Sequence, residues 1–124
     1  MQKLLFEKSW QKQIAEKDRI HIENIFSELL STSEFPYFTP LREAKNHKGD
    51  LLVTVIIHNT SKQVLSFTKT KLSYISNEAT IANHIFSIPA LEIPPHTSMP
   101  WTFIFPIDQI DNSMEFKGGE LELD

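Results

Sequence analysis

The chain has 124 residues, 40% hydrophobic and 23% charged, the make-up of one folded domain rather than a disordered polypeptide. Its 12 basic and 16 acidic side chains leave a net charge of −4 with no basic block, so the electrostatic footprint of a nucleic-acid-binding protein is missing. With no cysteine, disulfides, zinc–thiolate sites and thiol catalysis are excluded, and a reducing compartment is expected.

The N-terminus, MQKLLFEKSWQKQ, offers only Leu4, Leu5 and Phe6 as a continuous apolar run. A signal peptide needs about 7–15 such residues and a membrane span about 20. The expected address is therefore cytoplasmic. Residues 3 to 10 read as extended or irregular. AEKDRIHIENIFSELL, residues 15 to 30, is the one good helix: Ile22, Ile25, Phe26 and Leu29 form a stripe at helical spacing. Glu16 and Asp18 suit the positive end of the helix dipole. Carrying the helix back to Trp10 would put Asp18 inside the apolar face, so the start belongs near Ala15, where no side-chain cap is available. Ser31 to Ser33 end the helix, and Pro36 blocks its continuation.

From residue 35 onward the pattern is that of strands. FPYFTPLREA leads to the turn NHKGD, in which Gly49 is free to take a positive φ, and LLVTVIIHN follows as a β-branched strand. After TSKQ, the segment VLSFTKTKLSYI forms one long or two short strands. SNEA turns the chain into TIANHIFSI (80–88). Pro89 and the Pro94–Pro95 pair confine ALEI to an edge or a short strand. SMPWTFIFP is the last clear strand, and residues 111–124 are a closing hairpin or a tail, a choice that Gly118–Gly119 leaves open.

These spacings predict a mainly β protein: an Ig-like antiparallel β-sandwich over residues 35–110, with one N-terminal helix packed on a sheet, in a single domain of residues 1–124. In LLVTVIIH, Leu51, Val53, Val55 and Ile57 share one face, yet Leu52 and Ile56 make the other face apolar too, as Ile104 does in the aromatic strand. The helix stripe is the expected cover for Leu52, Ile56 and Ile104, which favours a monomer over a homodimer. Trp101, Phe103 and Phe105 alternate along their strand. They read as core anchors, with Trp101 half exposed, rather than as a ligand shelf.

His21, His47, His58, His84 and His96 show no HxH, HxxxH or HExxH spacing, so no metal is expected; His58 and His84 are the two on expected strands, where a meeting across a sheet is open to them. Ser73, Ser87 and Ser98 lack the sharp GxSxG-type turn of a nucleophile, and no phosphate-binding glycine loop is present. The residues therefore point to no enzyme and no cofactor.

FTPLREAKNHKGDLLVTVIIHNTSK (38–62) and IPALEIPPHTSMPWTFIFP (88–106), preceded by SWQKQIAEKDRIHIENIF, resemble the SLAP domain of Gram-positive S-layer assembly and accessory Sec proteins. The resemblance covers residues 6–110, and its most specific stretches are FTPLR, NHKG and SMPWTF. It implies a non-enzymatic accessory factor in S-layer protein export, working with the accessory secretion ATPase or with an S-layer precursor. Arg42, His47, Lys48 and Trp101, all within those stretches, are the candidate partner-facing residues. The alternatives are a small-ligand or metal-binding β domain and a structural oligomerisation module.

Overall fold

In the computed structural model, which describes residues 1–111 and 118–124, seven strands form two sheets. The first sheet has the order β1–β6–β3–β2, built from β1 (Lys3–Leu4), β6 (Thr97–Phe105), β3 (Leu51–Asn59) and β2 (Phe38–Lys45). The second has the order β5–β4–β7, built from β5 (Ala79–Ile93), β4 (Leu65–Ser76) and β7 (Glu120–Leu123). All pairings are antiparallel except that of β1, which runs parallel to β6. The arrangement is the expected mainly β sandwich with few helices.

The core lies between the sheets, and strand alternation supplies it. Leu51, Val53, Val55 and Ile57 point inward from β3, with Met99, Phe103 and Phe105 beside them on β6. Phe67, Leu72, Tyr74, Phe86 and Leu91 face them from the second sheet. Phe103 is the hub, with ring centroids 5.5 Å from Phe67 and 5.2 Å from Phe86; Phe86 also meets Phe105 at 5.2 Å. Trp101 is half-buried at the margin of this cluster, so the aromatic strand faces the core as its spacing predicts.

The turns follow from local chemistry. Asn46 accepts from the N–H groups of Lys48 and Asp50, and Gly49 takes φ 91°. Ser76 pairs with Ala79, leaving Asn77 and Glu78 as a two-residue hairpin turn, both with positive φ.

The helix α2 (Glu16–Thr32) lies on the outer face of the first sheet. Ala15 caps it without a side-chain hydrogen bond, and Ser33 closes it in the left-handed region, its N–H bonded to Leu29 and Leu30 carbonyls. Ile22 and Phe26 are buried. The Phe26 ring meets Phe35 at 6.0 Å, and Phe35 meets His58 at 5.3 Å, so the C-terminal half of α2 seals the outward side of β3.

Four details differ from the sequence expectation. Residues 3 to 10 are not all extended or irregular: Lys8–Gln13 form a short helix, α1, whose N-terminus Glu7 caps by accepting from the Ser9 N–H. Ile14 and Ala15 are extended and separate it from α2, whose start at Glu16 agrees with the expected one near Ala15 and keeps Asp18 out of an apolar stripe. Strand β5 is continuous through Pro89, because an edge strand with a register jump between Ile88 and Glu92 has no need of that N–H. Ile56 is fully buried, but Ile104 remains 50% exposed, so α2 does not cover it. His58 and His84 lie on different sheets and do not pair. At the C-terminus GGELELD contributes β7, paired with β4; the rest of the proposed hairpin, residues 112–117, lies outside the described residues.

Candidate partner-binding cleft

The extended step at Ile14 and Ala15 sets α1 at an angle to α2, and Arg19 holds the two together. Its guanidinium lies 5.2 Å from the Phe6 ring, reaches the Gln11 carbonyl at 3.4 Å and meets Glu16 at 3.8 Å. Between this helical elbow and the first sheet is a cleft of about 420 Å³. Its floor is the cross-strand pair Thr54 and Thr102, whose hydroxyls bond to each other at 2.8 Å. Trp10, Ile14 and Ile22 form the helical wall, and Leu41 and Arg42 form the wall from β2. Asp18 and His21 add polar groups on the α2 side.

A register shift in β2 between Pro40 and Arg42 produces this second wall. The bulge places both Leu41 and Arg42 at the cleft, where strict alternation would have offered only one of them. Arg42 is exposed and makes no ion pair among the described residues. The cleft therefore combines an apolar wall, a hydroxyl floor and a cation free to meet a carboxylate.

The four candidate residues do not converge. Arg42 stands opposite Thr54 on the outer face, whereas Trp101 stands opposite Val55 on the core face. His47 and Lys48 are exposed in the turn after β2, away from the cleft lining. The sequence reading missed Trp10, Ile14 and Leu41. Only the paired breaks at Ile14–Ala15 and at the β2 bulge bring them together; Asp18 marks the first by barring a helix that runs back to Trp10, and Pro40, a residue that strands admit at edges and bulges, marks the second.

A second polar cluster lies under the helix. His58 is 3% exposed, with Thr39 Oγ1 2.8 Å from its Nε2 and Ser98 Oγ 2.6 Å from its Nδ1. Gln2 donates from Nε2 to Ser98 Oγ and to the Asn59 carbonyl, both at 3.1 Å, tying the N-terminal strand to the same cluster. Burial pulls the His58 pKa down to about 4, so the ring is neutral at pH 7. A serine beside a histidine invites a nucleophile reading, but Ser98 is fully buried and Phe35 covers the ring, so a reactant has no approach to the Oγ. The pair fastens β1, β3 and β6 together.

Among the described residues no group of three or more metal-ligating side chains is assembled, and no helix is long and apolar enough to cross a membrane. Comparison with curated proteins and with solved structures gives no match. The family model described as the SLAP domain matches residues 4–120, nearly the whole chain and both walls of the cleft. With that match and the two-sheet architecture together, the chain belongs to the SLAP domain family.

Proposed function

We propose that this chain is a non-enzymatic protein-interaction domain that acts in the cytoplasm and assists S-layer protein export through the accessory Sec pathway. Membership of the SLAP family, with its S-layer association, is the observation that carries this reading. The cleft supports the interaction part. It is bounded by exposed residues of α1 and β2, and Arg42 at its wall has no ion-pair partner among the described residues. A protein partner that inserts an apolar side chain against Trp10 and Ile14 and offers a carboxylate to Arg42 would fit its chemistry. The accessory secretion ATPase and an S-layer precursor are the partners proposed. The test is affinity purification of the tagged chain from crosslinked native cells. The reading expects one of these two proteins to be recovered repeatedly, and recovery of neither sinks the pathway.

A second reading, a small-ligand-binding β domain, draws on the cleft volume of about 420 Å³, within the range of about 300–1,000 Å³ usual for small-molecule sites. A thermal-shift screen of divalent metals, sugars and nucleotides separates the two. Reproducible stabilisation by one compound at micromolar concentration favours the ligand reading, because binding to the native state alone raises stability.

A further inference from the structure

Strand β5 is an edge of the second sheet, and its backbone orientation can be read from the strand beyond its neighbour. The Asp124 N–H donates to the Lys71 carbonyl at 3.1 Å, so Lys71 turns its backbone polar groups toward β7. Lys71 stands opposite Ile85. In an antiparallel ladder the partner of such a residue turns its own N–H and C=O the other way, here to the open side. Alternation along β5 places Asn83 and Ser87 in the same orientation.

Two features bound this open stretch. At one end Ile110 bridges to Ala82, and the Asp111 N–H donates to the Ile81 carbonyl at 2.7 Å. At the other end Pro89 has no N–H to offer, and the register jump between Ile88 and Glu92 bends the strand away. Between these stops the Asn83 C=O, both polar groups of Ile85 and the Ser87 N–H have no partner among the described residues. Ile85 is also 58% exposed. Edges are usually guarded by charge, yet β5 carries no charged side chain from Ala79 to Leu91.

We propose that this edge pairs with the same edge of a second copy of the chain, antiparallel about a two-fold axis at Ile85. Each Ile85 N–H then donates to the partner's Ile85 carbonyl, and each Ser87 N–H donates to the partner's Asn83 carbonyl. The exposed face reads polar, apolar, polar at Asn83, Ile85 and Ser87, so the axis sets Ile85 on its own copy and Asn83 beside Ser87. That self-matching pattern favours a second copy over an unrelated strand. A foreign peptide would find no pocket here to set its register, because His84, Phe86 and Ile88 turn to the core side. The expectation of a monomer weighed only the outer face of the first sheet, which this pairing leaves untouched. The contact is short and belongs with weak, transient interfaces. It does not depend on the export reading.

Sedimentation velocity over a dilution series, with amide hydrogen exchange on the same samples, tests the pairing. The expected result is a sedimentation coefficient that rises with concentration, together with Ile85 and Ser87 amides whose exchange slows several-fold over the same range. Ile85→Lys, an exposed substitution, should keep the fold and abolish both effects. Three results overturn the proposal: Ile85 and Ser87 exchange independent of concentration, a dimer that persists in Ile85→Lys, or protection that appears only when an extended peptide is added. Should Ile85→Lys misfold, the exchange of the unaltered chain decides alone.

Discussion

His58 and Ser98 face each other across β3 and β6 with Nδ1 and Oγ 2.6 Å apart, and neither side chain reaches solvent. Burial holds the histidine neutral, and this makes stability depend on pH. The unfolded chain takes up the proton near pH 6.5, whereas the folded chain waits until about 4. The folded-state pKa is the lower one, so this contribution is intact above pH 6.5 and is lost as pH falls toward 4. The expected slope is about 1.4 kcal/mol per pH unit, to a total of about 3 kcal/mol. Urea denaturation at a series of pH values measures it, and His58→Gln should flatten the profile in that window.

Gly119 packs against Tyr74. Its N–H donates to the Tyr74 hydroxyl at 2.8 Å, and a Cβ there would fall 2.5 Å from the ring Cζ and 2.6 Å from the Ile75 carbonyl oxygen. The backbone oxygen cannot yield without shifting the strand. Gly119→Ala should therefore cost about 1–3 kcal/mol by overpacking. Tyr74→Phe, which removes the hydroxyl that accepts from Gly119 and keeps the ring, should cost about 1 kcal/mol. Chemical denaturation of both variants checks the order.

Phe103 touches rings from β2, β4 and β5, and it is 1% exposed. Phe103→Ala should cost about 3–5 kcal/mol, and Trp101→Ala, at the margin of the core, should cost less. Equal stability of Phe103→Ala and the unaltered protein would contradict the assignment of this strand to the core.

The outer face of the first sheet is divided. Ile56 is fully buried and Ile104 is 50% exposed on neighbouring strands. Ile104→Lys should therefore change stability by no more than about 0.5 kcal/mol, whereas Ile56→Lys should unfold the protein. Deleting residues 1–31 removes α2 and should drive aggregation through the stripped face. Solubility and sedimentation of the three variants give the reading; a soluble deletion that self-associates no more than the unaltered chain would show that α2 is dispensable.

Much of the architecture was legible because β3 and β6 pair along their length without a register shift. The two-residue period of LLVTVIIHN and of WTFIF assigns core and outer faces directly, and the stripe from Ile22 to Leu29 locates α2. What the sequence conceals are the irregular steps. The register shift between Pro40 and Arg42 and the continuation of β5 past Pro89 are decided by strand pairing, and α1 by its Glu7 cap, whereas the start of α2 near Ala15 was legible from Asp18. The cleft is made of two of these steps, so of its lining only Arg42 stood among the candidates. The His58–Ser98 pair was equally hidden, because its members are 40 residues apart in the chain and meet only through register.

The most direct test of the central claim is site-specific photo-crosslinking in the native host. A photoreactive residue replaces Gln13, at the cleft, or in a parallel strain Thr80, an exposed position on the second sheet. The account predicts crosslinks from position 13 to the accessory secretion ATPase or an S-layer precursor, their loss on Arg42→Glu, and none from position 80. Crosslinks to either protein from position 80 alone, or none from position 13, would contradict it.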